Sequence, residues 1–127
     1  MTSTLRTPQV RKQVHDPLTL RAAVVHAVAA GSHSAVLTTI AQSHSMRLVC
    51  AALGVPRKDW ALFSRWSQDS AHPRSLDLLG AYVDVMVAER CRKPTDDLIS
   101  ELITIEVGGS ELTADELRTV VVTLVTG

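Results

Sequence analysis

Five histidines, His15, His26, His33, His44 and His72, are the side chains best suited to hold a metal or move a proton, and their spacing tests that chemistry directly. A helical metal or acid–base pair needs two ligands at i and i+4 with a carboxylate at a matching offset, and no two of these histidines stand so. The two cysteines, Cys50 and Cys91, lie 41 positions apart in helical stretches, with neither metal-site nor redox spacing, and read as ordinary helix thiols. Ser32, Ser34, Ser43 and Ser45 flank His33 and His44, but no Gly-x-Ser-x-Gly elbow presents a nucleophile, so they read as polar turn residues. Gly108 and Gly109 lack the preceding strand and following glycine pattern of a phosphate-cradling loop and read as a connector. Trp60, Phe63 and Trp66, at i, i+3 and i+6, read first as packing and second as a ligand platform. The residues alone assign no catalytic side chain and no metal ligand.

The elements that carry these residues are helices. Residues 18–30 are rich in Ala and Val and end at Gly31, a natural helix stop. Residues 43–53 place Met46, Val49, Cys50 and Leu53 at helical spacing before Gly54 and Pro56 turn the chain. Pro56 opens an element carrying Trp60, Leu62, Phe63 and Trp66, which His72-Pro73 breaks. From Ser75 to Arg92, Leu76, Leu79, Val83, Met86 and Val87 form one apolar stripe, with Asp77, Asp84, Glu89 and Arg90 mainly off it. Pro94 to Asp97 sets a cap and two first-turn acids, favourable against the helix dipole, ahead of Leu98, Leu102 and Ile103, and Gly108-Gly109 closes that segment. Thr113 and Glu116 have the spacing of a capping box, with Leu112 and Leu117 as its apolar staple. The helix they start is apolar on more than one face and reaches Gly127 without a basic last turn, which predicts a central helix that the chain leaves unfinished. Alternating strand patterns are confined to short pieces around Ser110 to Leu112. The class is all-α.

Composition narrows the function. The chain of 127 residues is one domain's worth, with 13 basic and 13 acidic side chains and zero formal charge. With neither sign in a block, the field that draws a protein to nucleic acid or an anionic membrane is missing. Apolar runs fall short of a bilayer span, and the N-terminus has no signal-peptide core, so a cytoplasmic protein without membrane contact is expected.

Five segments, in order, then resemble one family. Leu48 to Pro56 (LVCAALGVP) looks like the end of the E helix and the turn of the bacterial cytochrome P-450 haem-thiolate monooxygenases, and Asp59 to Ser67 (DWALFSRWS) is similar to their F helix. Ala81 to Arg90 (AYVDVMVAER) resembles the G helix, Lys93 to Leu102 (KPTDDLISEL) the H helix, and Leu112 to Leu117 (LTADEL) the start of the long I helix. Val10 to His15 with Leu18 to Arg21 looks like the C helix and the segment after it.

The resemblance implies a partial P-450 fold over 1–127 as a single helical domain, truncated within the I helix. It implies haem-dependent oxygenation of a small apolar molecule, an oxidoreductase reaction using electrons from a ferredoxin-type donor. Val122, Val125, Thr126 and Gly127 would face the substrate pocket, the Trp60 to Trp66 helix would form part of its lid, and Arg11 would contact a haem propionate. The departures concern chemistry. Thr7 stands where the family carries a histidine before the residue matching Arg11. Thr126-Gly127 begins the oxygen-activating motif, but its acid and threonine do not follow. No segment fits the family's cysteine loop, so the chain alone is expected to bind no haem and to be inactive. The alternative expectation is a non-enzymatic helical interaction module that oligomerises through residues 113–127, a helix left exposed for want of cover.

Overall fold

The computed structural model describes residues 16–31 and 34–127. Helix α1 spans Pro17–Ala29; Asp16 caps it by accepting the Leu18 amide at 3.0 Å, and Pro17 takes the first turn, where no amide is needed. Helix α2 (Ser34–Ser43) is absent from the sequence expectation, which took this serine-rich stretch as turn. Its Val, Thr and Ile residues are weak helix formers, and the Thr39 and Ser43 hydroxyls bond back to Ala35 O and Thr39 O. Packing overrides those propensities: Leu37 is fully buried, and α2 lies against the last helix.

Helix α3 (Met46–Leu53) starts at the Ser45 cap, three residues later than its periodicity predicts because Ser43 belongs to α2. It ends at Gly54, in the left-handed region at φ +86°. A 3₁₀ turn at Arg57–Asp59 leads into α4 (Trp60–Gln68). Helix α5 (Pro73–Arg92) begins two residues before the expected start, since Pro73 opens the helix instead of breaking it. Helix α6 (Leu98–Thr104) is capped by Asp97. A two-residue hairpin pairs β1 (Glu106–Val107) with β2 (Ser110–Glu111), and Gly108 and Gly109, both at positive φ, make its turn.

Helix α7 (Ala114–Thr126) carries the full capping box: Glu116 N–H donates to Thr113 Oγ1 at 3.1 Å, and Thr113 N–H donates to Glu116 Oε1 at 2.8 Å. It packs chiefly on α2 and α5, and also on α4. The expectation that this helix stands uncovered is overturned. Leu117, Val120, Val121, Leu124 and Val125 are all buried within the chain, and α7 also has a solvent face at Asp115, Arg118 and Thr119. Within the chain this apolar side of α7 meets α2, α4 and α5. Helices dominate the architecture, with the hairpin the only strand pairing among the described residues. Among those residues no helix is long and apolar enough to cross a membrane.

Candidate functional site

Two helices make a cleft that contains Val122, one of the residues expected to face substrate. Between helices α5 and α7 lies a space of about 520 Å³, bordered by Leu76, Gly80 and Ala81 from α5 and by Thr119, Val122 and Thr123 from α7. That volume lies within the range of small-molecule sites, roughly 300–1,000 Å³. Its rim is charged: Asp77 and Asp84 project from α5 and Arg118 from α7. Arg118 grips Asp84 through two nitrogens, with Nε donating to Oδ1 at 2.9 Å and Nη2 to Oδ2. This pairing holds the Asp84 carboxyl below its ordinary value and the Arg118 guanidinium above its own. The guanidinium also lies over Gly80, where an added Cβ would stand 3.6 Å from Arg118 Cδ. The Thr119 and Thr123 hydroxyls donate to Asp115 O and Thr119 O at 2.9 and 2.7 Å, so only their acceptor lone pairs remain for a ligand.

The four residues expected to face one pocket are divided. Val122 borders the cleft, half-buried, whereas Val125 is 2% exposed in the core. Thr126 is half-buried and donates to Val122 O at 2.8 Å. Gly127 rests on α2, with its carbonyl accepting from Gln42 Nε2 at 3.3 Å and its α-carbon facing Thr38 and Ala41. Arg11 lies outside the described residues, as do His15 and His33.

The aromatic residues resolve into packing. Phe63 is fully buried, 5.6 Å from the Trp66 ring and edge-on to Tyr82 at 5.1 Å. The Tyr82 hydroxyl donates to Asp59 Oδ2 at 2.5 Å, and burial followed by this carboxylate raises the phenol above its ordinary value. Trp60 is half-buried and donates its indole N–H to Val55 O at 2.7 Å.

A second polar assembly, unforeseen in the sequence, joins three elements. Asp97, 5% exposed, accepts from the Ser100 amide at 3.0 Å, from Thr95 Oγ1 at 2.5 Å and from Arg90 Nε and Nη2 at 3.3 Å. Arg90 Nη2 also donates to Gly54 O at 3.0 Å, which ties the α3 turn to the joint. Burial pushes the Asp97 carboxyl up, but the Thr95 and Ser100 donors and Arg90 outweigh it and hold it below the usual range. The segment 94–97 signals a helix cap, but only folding brings Gly54 and Arg90 to it.

The haem ligand implied by the resemblance tests the two thiols. Cys50 is fully buried in α3, and burial pushes its thiol up to about 12, where it stays protonated. Cys91 is exposed on α5. A haem thiolate ligand is held in a loop of peptide amides, and both cysteines lie inside helices, so neither fits. His44 Nδ1 contacts Ile40 O at 2.8 Å and His72 caps α5. Among the described residues no three His, Cys, Asp or Glu side chains gather as a metal site.

No protein-family model matches the sequence. The steroid C26-monooxygenase of Mycobacterium tuberculosis is 30% identical across 93% of this chain and 30% of its own length. Cytochrome P-450 130 of the same organism is 36% identical across 63% of this chain and 23% of its own. Among solved structures, a variant of the mixed-function P-450 MycG in complex with mycinamicin V superposes with a TM-score of 0.61 at 25% identity, covering 93% of this chain and 36% of that one. The Bacillus megaterium protein CYP109E1, in complex with testosterone, gives 0.59 at 26% identity over 65% and 25%. The chain thus spans 30% of the steroid monooxygenase that it matches.

Proposed function

The chain belongs to the bacterial cytochrome P-450 family, and from that premise we propose that its α5–α7 cleft is one wall of the substrate pocket of a haem-thiolate monooxygenase. The observation that carries this reading is Val122, expected to face substrate and found bordering the cleft. Leu76, Ala81 and Val122 offer apolar surface to a small substrate, and the Thr119 and Thr123 oxygens accept a hydrogen bond from any hydroxyl it bears. In the whole protein haem supplies the oxygen activation, and a ferredoxin-type donor supplies the electrons. The described residues contribute shape and orientation to that reaction and no ligand to iron. Alone, the chain is inactive as a monooxygenase.

Two measurements test the reading. Hemin titrated into the reduced chain under carbon monoxide gives no thiolate-type Soret band; such a band, lost on mutating Cys50 or Cys91, would overturn the assignment of those thiols. Substituting this chain for its matching third of the M. tuberculosis steroid C26-monooxygenase then examines the wall. In a chimera that binds haem, Val122→Phe weakens the substrate-induced spectral shift and leaves the carbon monoxide spectrum unchanged. Equal substrate affinity with and without the added ring would remove Val122 from the pocket.

A further inference from the structure

On a different part of the molecule, α3 and the 3₁₀ turn before α4 enclose an open groove of about 490 Å³ lined by Ser45, Arg47, Leu48, Ala51, Arg57 and Trp60. Its floor is apolar and its rim cationic. The Arg57 guanidinium stands 5.2 Å from the Trp60 ring centroid, a cation–π contact that fixes the arginine in place without neutralising it. Among the described residues Arg47, Arg57 and Lys58 make no ion pair, whereas Arg21, Arg90 and Arg118 all do. From Ser45 to Trp66 the chain carries four cations, Arg47, Arg57, Lys58 and Arg65, against one acid, Asp59. That acid is engaged by the Tyr82 hydroxyl. Local charge of this sign stands out in a chain whose net charge is zero.

We propose that this groove docks an acidic peptide segment of a partner protein, with carboxylates paired to Arg47 and Arg57 and an apolar side chain seated on Leu48, Ala51 and Trp60. Charge complementarity selects the occupant. The first fifteen residues of the chain carry Arg6, Arg11 and Lys12 and no acid, so they do not complement the groove. A peptide bearing two carboxylates can pair with both guanidinium groups while an apolar side chain between them covers the tryptophan, which a lone anion cannot do.

The test uses a synthetic peptide of alternating Glu and Leu, its Gln-for-Glu counterpart, and inorganic phosphate, read by tryptophan emission of the full chain. The Glu peptide shifts the emission and the Gln peptide does not. The shift disappears in Trp60→Phe, and binding weakens about tenfold or more from low to physiological salt. The double variant Arg47→Glu/Arg57→Glu, at two exposed positions, keeps the wild-type melt and loses binding at least about tenfold, while Arg47→Lys retains most of it. Undiminished binding to the charge-reversed variant, or no binding to wild type, overturns the proposal. So does displacement of the peptide by phosphate at equal affinity, which would mark a simple ion site. Salt-sensitive dimerisation that the peptide competes away would make the occupant a second copy of the chain and likewise overturn it.

Discussion

At the joint of α3, α5 and α6 one carboxylate, Asp97, is 5% exposed and satisfies Arg90, Thr95 and Ser100 at once, while across the α5–α7 cleft Arg118 and Asp84 meet with side chains 46% and 43% exposed. Both contacts are arginine–aspartate pairs, yet they hold the molecule differently. In the joint, the low dielectric strengthens every bond and makes each loss costly, so the three elements take one arrangement. At the cleft, water screens the pair, and it adds little to stability. A framework can be fixed by the first kind of contact while a ligand-facing wall adjusts through the second. The contrast is sharpest at two glycines, Gly54 in the joint and Gly80 beneath Arg118.

Gly54→Ala is expected to have the largest effect. The position holds φ +86°, and an added Cβ would lie 2.4 Å from Asp97 Oδ2. Backbone strain of about 1–3 kcal/mol combines with displacement of the buried carboxylate from Arg90, for a total loss of roughly 3–5 kcal/mol. Denaturant unfolding measures it, and a loss no larger than that of a surface substitution would show that the joint yields.

Asp97→Asn comes next. It retains a cap for Ser100 but leaves Arg90 with only the exposed and more distant Glu89, 3.8 Å away, and the expected cost is about 2–3 kcal/mol. The same residue fixes a pH dependence. Because the Asp97 carboxyl is held below its ordinary value in the folded chain, its contribution is complete above the unfolded carboxylate pKa of about 3.9 and is lost as pH falls through the folded value. The gap in stability between wild type and Asp97→Asn therefore closes in acid. A gap that persists well below that range would mean that Asp97 acts through shape and not charge.

Thr113→Ala separates α7 from both sites. It removes the acceptor for the Glu116 amide and leaves the return bond to the residue-113 amide in place, and about 1 kcal/mol of stability goes with the lost acceptor. This start was fully legible from Thr113 and Glu116, because a capping box is local chemistry at fixed spacing. The α3 turn at Gly54 and the two-glycine connector were legible for the same reason, whereas Asp97, expected as a first-turn acid, is itself the α6 cap. Helix α2 was not: Val36, Thr38, Thr39 and Ile40 argue against a helix, and only burial of Leu37 against the fold reverses them. The cover over Val120, Val121 and Leu124 was equally hidden, since it comes partly from that unseen helix. The cleft has no sequence signature. Leu76 belongs to the apolar stripe of α5 by periodicity, yet it is 37% exposed and borders the cleft. Order along the chain located the family, and geometry between helices located the cleft.

Gly80→Ala is the smallest effect and the one that breaks or keeps the comparison. Gly80 sits inside α5, where glycine costs about 0.5–1 kcal/mol relative to alanine because it surrenders more backbone freedom on folding. Outside its own helix the three atoms nearest the new methyl would all belong to Arg118, at 3.6 Å for Cδ and Nε and 3.7 Å for Cζ, which is ordinary van der Waals contact with a flexible side chain. The variant should therefore gain about that much stability, with the unfolding midpoint raised and the denaturant slope unchanged. The sign is opposite to that at Gly54 for the same chemical change. A loss at Gly80 would mean that Arg118 cannot give way and is locked in its grip on Asp84. The cleft would then be a second rigid joint, and a ligand could enter only by fitting the space already present.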